Sequence, residues 1–379
     1  MSVNRTSSVY ATLNPRKEPT MPEGQDFWNP YRWVAVSDQP VERTTPRHHH
    51  SLSGLAGRLW CDIEVLTPLL IGDGKGRFVR RGGVPYLPAT SLKGAIRSLA
   101  EVVGNAAIPF PRANVDPRHR LEDARAGTQL DIAARMFGYL HGRDVFAGLV
   151  RFSDALITHE SQPLNRWSRY EVAVGQPKPQ HRAFYPGNDR RKFYHHRPAA
   201  QSLTPPHPGI TQTGYVQPTP TGTRFRFTVD FENLGDEELD LLLYCLVLEE
   251  QAVVDLSPAA LGRDTDRGGV RLRGPLRHKL GGAKPHGAGS AQIRIMKLRL
   301  CTDRAARYRG RQSVSVLRGD SLTTEVDRRT GPFRVRSDRT MQELRAMLIY
   351  CPDDPRTPVG YPTYGWFRTG TQAPLKPTV

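Results

Sequence analysis

The chain is short of acid, short of lysine and nearly without cysteine. Only 37 Asp+Glu oppose 54 Lys+Arg, for a formal net charge of +17 and a pI near 10.1. Nine of the cations are lysine, which leaves 45 arginines. That surplus favours a polyanionic partner, with the composition bias of a GC-rich genome as the competing reading. The four cysteines, Cys61, Cys245, Cys301 and Cys351, lack any CxxC or Cys/His spacing, which excludes a zinc ribbon and reads as reduced core residues. No apolar run approaches the ~20 residues of a membrane span, and no secretory hydrophobic region is seen, so a cytoplasmic location and no membrane partner are expected. There is no P-loop, no Ser/His/Asp order and no paired-carboxylate constellation.

What is present is concentrated first in Thr67–Glu101, TPLLIGDGKGRFVRRGGVPYLPATSLKGAIRSLAE. An apolar strand end runs through a loop carrying Arg80 and Arg81 into an amphipathic helix, with Thr90 or Ser91 expected as its N-cap. Leu92, Ile96 and Leu99 share one helix face, and Lys93 and Arg97 share another. Backbone N–H groups at the helix start, the macrodipole and two cations one turn apart all favour a phosphate there.

At 379 residues the chain is long enough for one large elaborated domain or two smaller ones. Residues 1–45 read as an extended polar arm with an aromatic patch at Phe27–Trp33, and residues 46–157 as the first part of a core. That part holds a strand at Arg58–Thr67, a helix from Ser91 to about Val103, a helical run at Gln129–Leu140 and a strand at Gly148–Ile157. Residues 158–222 lose all period and form a basic, aromatic insertion. Residues 223–301 resume the core with the clearest strand, Thr223–Phe231, where Phe225, Phe227, Val229 and Phe231 alternate with charged residues. A helix capped by Asp236 over Glu237–Glu250 follows, then a Gly/Arg-rich stretch and a last strand, Ala291–Leu300. An Arg-rich extension, 302–379, closes the chain, with a helix expected at Arg339–Tyr350. The order β-α-β-β-α-β predicts an α+β fold with a ferredoxin-like, RNA-recognition-like core.

A second concentration is Leu280–Ile293, LGGAKPHGAGSAQI, just before the last strand. Gly281, Gly282, Gly287 and Gly289 permit positive φ and close approach to a ligand, and Lys284, His286 and Ser290 add polar contacts. A flexible β-turn is the plainer reading. In the insertion, Lys178, Arg190, Arg191 and Lys192 are interleaved with aromatics, a pattern that suits single-stranded RNA, or else a solvated loop with a few docked rings.

The pairing of PYLPATSLKG with LGGAKPHGAGS resembles the repeat-associated mysterious proteins, the RAMP superfamily of CRISPR systems. The usual family forms are PYIPGSSLKG and LGxxKPxGxGS, with Ala89–Thr90 here replacing Gly–Ser. FWNPY, PVERT, MFG at Met136–Gly138, RFSDA at Arg151–Ala155, GQPKP, FENL at Phe231–Leu234 and YPTYGWF at Tyr361–Phe367 extend the likeness. The resemblance is to guide-RNA-binding backbone subunits of type III effector complexes. It implies partners in CRISPR guide RNA, in target RNA or DNA, in neighbouring copies of the chain and in other effector subunits. It also implies a thumb that kinks the guide, for which the 158–222 insertion is the candidate.

The resemblance offers two catalytic precedents. Subunits that cut target RNA use an aspartate in the loop after the first strand with a metal ion, and the only carboxylate of Ile71–Val84 is Asp73; an Asp-Gly turn is the alternative. Guide-processing members often use a histidine, for which His48–His50, His195–His196 and His286 are candidates by type. Binding requires no cofactor; Mg²⁺ or Mn²⁺ enters only if RNA is cut. Two hypotheses stand, a guide-binding structural subunit and an endoribonuclease. The eleven arginines of Arg304–Arg345 fit an RNA groove, an acidic neighbour or a solvated face equally.

Overall fold

A computed structural model describes residues 31–50, 53–108, 117–119, 129–141, 143–159, 163–173, 190–196, 213–257, 269–303, 306, 309, 313–351 and 354. Along the chain come β1 (Tyr31–Ala35), β2 (Leu55–Val65), the short hairpin β3 (Arg80–Arg81) and β4 (Val84–Leu87), and α1 (Ala89–Val103). Next are α2 (Ile132–Phe137), β5 (Tyr139–His141), β6 (Asp144–Phe146), β7 (Val150–Phe152), β8 (Ala155–His159), β9 (Tyr170–Ala173), β10 (Arg190–Tyr194) and β11 (Thr213–Val216). The second half holds β12 (Arg224–Leu234), α3 (Asp236–Val247), β13 (Ala252–Leu256), β14 (Val270–Gly274), β15 (His278–Lys279), β16 (Ser290–Cys301), β17 (Val314–Leu317), α4 (Gly319–Arg334) and α5 (Arg339–Leu348). The fold is α+β.

The central sheet runs β15-β16-β2-β12-β8-β4-β3, with β17 also on β16 and β7 also on β12, and its ladders are antiparallel. Period-two alternation decides its faces. Leu59, Cys61, Ile63 and Val65 of β2 and Phe225, Phe227, Val229 and Phe231 of β12 are buried in one core with Leu92, Ile96 and Leu99 of α1 and Leu239, Leu242, Leu243 and Leu246 of α3. Arg58, Asp62, Arg226 and Asp230 project from the opposite face. All four cysteines are free thiols, and burial pushes those of Cys61 and Cys245 far up. Among the described residues no helix is long and apolar enough to cross a membrane.

Several boundaries differ from expectation for identifiable reasons. Neither Thr90 nor Ser91 caps α1; the helix opens after Pro88, and the carboxylate of Asp154 accepts the Ala89 N–H at 2.8 Å. The same Asp154 lies in the break that divides the expected Gly148–Ile157 strand into β7 and β8. Gly138, at φ 95°, stops α2 and turns the expected helical run into the β5–β6 hairpin. Gly235, not Asp236, is the N-cap of α3, and Glu238 folds back onto its N–H. The insertion divides: β9 and β11 form a ribbon, while β10 leaves to pair with β1 from the N-terminal arm. In the Gly/Arg-rich stretch β14 forms an unforeseen antiparallel pair with β13, which precedes that stretch, and in the tail Gly331 and Pro332 hide α4 from local pattern.

Candidate nucleic-acid interface

The glycine-rich loop is bound backbone to backbone to the residues that follow β2. The Gly282 N–H donates to the Leu70 carbonyl and the Gly289 N–H to that of Pro68, each at 2.8 Å. Thr67 closes the joint: its hydroxyl donates to the Gly287 carbonyl and accepts the Ser290 N–H, both at 2.9 Å. Gly281 has φ 73°, and a Cβ there would stand 2.1 Å from the Leu70 carbonyl oxygen; on Gly289 it would stand 2.0 Å from that of Leu280. These glycines are therefore demanded by the protein's own backbone, where the sequence suggested approach to a ligand.

The β9–β11 ribbon docks on the same joint. Val172 and Val216 are buried with Leu70 and Ala288, and Leu69 pairs with Thr219. Insertion, post-β2 loop and glycine-rich loop thus share one small core.

Lys284 and His286 occupy a 3₁₀ turn in this loop, between Ala283 at φ 53° and Gly287 at φ 92°. Burial pushes the largely buried Lys284 down to about 8. Its Nζ lies 5.9 Å from the Tyr194 ring centroid. From β10, Lys192 Nζ reaches to 3.7 Å from the Tyr31 ring and 5.1 Å from that of Tyr194. Burial, and then the charge of Lys284, push Lys192 to about 8 as well. His196 fastens β10 to the loop: its Nδ1 is 2.8 Å from Ser290 Oγ, and its Nε2 is 2.9 Å from the Arg277 carbonyl. Burial holds His196 neutral, with its pKa well below the usual histidine range. Lys279 Nζ donates to Ser290 Oγ and to the Gly287 carbonyl, each at 3.2 Å.

The remaining candidates divide into outward and inward groups. Ser91 is exposed in the first turn of α1, and half-buried Lys93 is lowered by burial and by neighbouring Arg97. Among the described residues neither Lys93 nor Lys284 has an ion-pair partner. Arg80 lies over Trp167 at 5.9 Å, and Arg81 lies over Tyr86 at 4.5 Å while bonding Asp154 at 2.7 Å. Arg169 on Tyr215, at 5.5 Å, adds a third arginine–aromatic pair.

Arg97 and Arg191 turn inward, unlike the phosphate contacts expected of them. Arg97 bonds Glu101 at 2.9 Å and the Gly138 carbonyl at 3.0 Å, and buried Arg191 bonds the same Glu101 at 3.2 Å and the Ala107 carbonyl at 2.8 Å. The cause is burial of Glu101, a carboxylate that needs both guanidinium groups. Arg190 stands opposite Ala35 on β10. Lys178 lies outside the described residues.

Asp73 forms the turn that was its alternative reading. Its carboxylate accepts the N–H groups of Lys75 and Arg77 at 2.7 and 3.1 Å and the Arg77 Nε at 3.1 Å, which holds its pKa below the usual range. Among the described residues no group of three or more His, Cys, Asp or Glu is placed to hold a metal.

Sequence reasoning missed Thr67 and Lys279; it offered His196 only as a catalytic candidate and Tyr31 and Tyr194 only as members of aromatic stretches. Thr67 sits at the start of the Thr67–Glu101 segment and Ser290 inside the glycine-rich motif; Tyr31 belongs to the aromatic patch, and only the β1–β10 pairing brings it to the loop.

A solved chain titled "Type IV-B CRISPR Complex" is similar with a TM-score of 0.35 and 15% identity, covering 63% of this chain and 90% of that one. No curated protein matches the sequence. The family described as the RAMP superfamily matches residues 62–269, more than half the chain, a span that begins in β2 and includes the phosphate-suited helix, the insertion and β12: the chain belongs to the RAMP superfamily.

Proposed function

We propose that the chain is a guide-RNA-binding backbone subunit of a type III-like CRISPR effector complex, holding the guide and the guide–target duplex without reading sequence. The observation that carries this is the joint itself. The post-β2 loop, the β9–β11 ribbon, β10 and the glycine-rich loop converge around Lys192 and Lys284, and α1 opens after the same loop with Lys93 in its second turn. Cations beside aromatic rings suit a phosphate chain with unstacked bases. The strand order β16-β2-β12-β8, with α1 and α3 as crossovers, supports reading the core as ferredoxin-like. The neighbour's title, a CRISPR complex, agrees with partners among other effector subunits. The turn-bound carboxylate of Asp73 supports a scaffold over a nuclease.

The test is expression with and without a CRISPR array, followed by sequencing of any RNA that copurifies. Uniform repeat-derived RNA in a high-mass particle supports the reading, and a nucleic-acid-free chain in both cases counts against it. Metal-dependent cutting of a complementary RNA, abolished by Asp73→Ala, would replace the scaffold with an endoribonuclease using Mg²⁺ or Mn²⁺.

A further inference from the structure

On the outer face of the central sheet the cations come in matched rows. Arg58, Arg151, Arg224, Arg226 and Arg294 each reach a carboxylate on a neighbouring strand. For Arg58 and Arg226 that acid is the residue directly opposite, Asp230 and Asp62. The matching stops at the corner made by β16 and β17. Arg299 of β16 stands between Arg58 of β2 and Val316 of β17, and Lys297 stands opposite Trp60 of β2. Among the described residues neither Lys297 nor Arg299 has an ion-pair partner; Lys297 lies over the Trp60 ring, 4.0 Å from its centroid. Val316 is exposed, and so is Met296, the extra residue that bulges β16 between the paired positions Ile295 and Lys297.

We propose that this corner is a docking surface for an acidic protein segment, whose carboxylates supply the missing halves of the Lys297 and Arg299 pairs and whose apolar side chain covers Met296 and Val316. The surface goes beyond the RNA-binding reading and uses none of its residues. The rest of the face specifies the partner's charge, because a carboxylate stands beside every other arginine named here and a valine stands opposite Arg299. Cations around a few exposed apolar side chains form the rim and centre of a small protein interface. Nucleic acid fits the corner less well: Lys297 covers the Trp60 ring that a base would need bare, and two aliphatic side chains offer a phosphate chain nothing. Addition of a strand fits less well too, since β17 is only four residues long and β16 is bulged, and both features spoil an edge for pairing. Docking therefore runs through side chains on the face.

The experiment titrates the full chain at low ionic strength against a fluorescein-labelled, capped peptide in which leucines are set among glutamates, and reads its anisotropy. Saturable binding is expected. Val316→Glu, which places an acid opposite Arg299 from within the chain, is expected to weaken it roughly tenfold, and Lys297→Gln with Arg299→Gln by a similar factor. The two variants lie on different strands, so if one fails to fold the other carries the test. Absence of saturable binding overturns the surface, and so does equal affinity for the unaltered and Val316→Glu chains, since the peptide then sits elsewhere on a basic molecule. Equal affinity for a peptide with alanine in place of leucine overturns the apolar half of the interface and with it the docking surface. If a short single-stranded RNA displaces the peptide and loses as much affinity as the peptide does in Val316→Glu, the corner belongs to nucleic acid and the protein assignment falls. Failure of the docking surface in any of the first three ways leaves the RNA-binding reading standing, because that reading rests on the other end of the sheet's loops.

Discussion

The two basic regions of this molecule differ in what their cations touch. On the outer face of the central sheet the arginines are matched to carboxylates across the strands: Arg58 to Asp230, Arg226 to Asp62, Arg294 to Glu64 and Arg151 to Glu232, at 2.5 to 3.1 Å. Lys93 of α1 and Lys284 of the glycine-rich loop have no such partner among the described residues, and burial lowers the pKa of each. A count of arginines in the sequence sees both regions as equally basic. Pairing separates them, because a compensated face attracts phosphate far less than a smaller cluster whose field is uncancelled.

Four changes sharpen or break that contrast. The largest effect is expected from Gly281→Ala, which forces a Cβ against the Leu70 carbonyl at positive φ; chemical unfolding should show a loss of about 3 kcal/mol. Acid comes next. His196 and His278 are both held neutral by burial, His278 at about 4, with its Nε2–H donated to the Cys245 carbonyl. Their folded values lie below the unfolded value of about 6.5, so stability is whole above it and is lost as pH falls toward about 4, by about 3 kcal/mol for His278 alone. An unfolding midpoint that is level across that window would sink the account of these imidazoles.

Lys93→Ala with Lys284→Ala should weaken RNA binding by roughly thirtyfold, about 2 kcal/mol, and lower the salt slope by about 1.4. Unchanged affinity would show that the uncompensated region is not the RNA surface. The smallest effect belongs to the face: Arg226→Ala should shift stability by no more than about 0.5 kcal/mol and RNA affinity by less than about twofold. A large loss of binding there would reverse the comparison.

Local pattern made the sheet legible. Alternation in Leu59–Val65 and Phe225–Phe231 and the stripe of α3 gave the right elements in the right order, because each reflects burial on a single face. Ser153–Asp154, which divides β7 from β8, and Gly331–Pro332 within α4 defeated that approach, since tertiary contacts there override local preference. At the candidate site the structure joins the glycine-rich loop to the residues that follow β2, a meeting that neither motif shows alone. Arg97 and Arg191 read as phosphate ligands until Glu101, hidden in an apolar helix face, showed what holds them. Tyr31 was beyond reach, because its partner strand lies in a segment with no period of its own.

The pairing of β1 with β10 also bears on the order of folding. During synthesis β1 exists long before the strand it needs, and the loop carrying Lys284 comes later still, so the joining of β1, β10 and that loop is a product of long-range closure and is expected to follow the local hairpins.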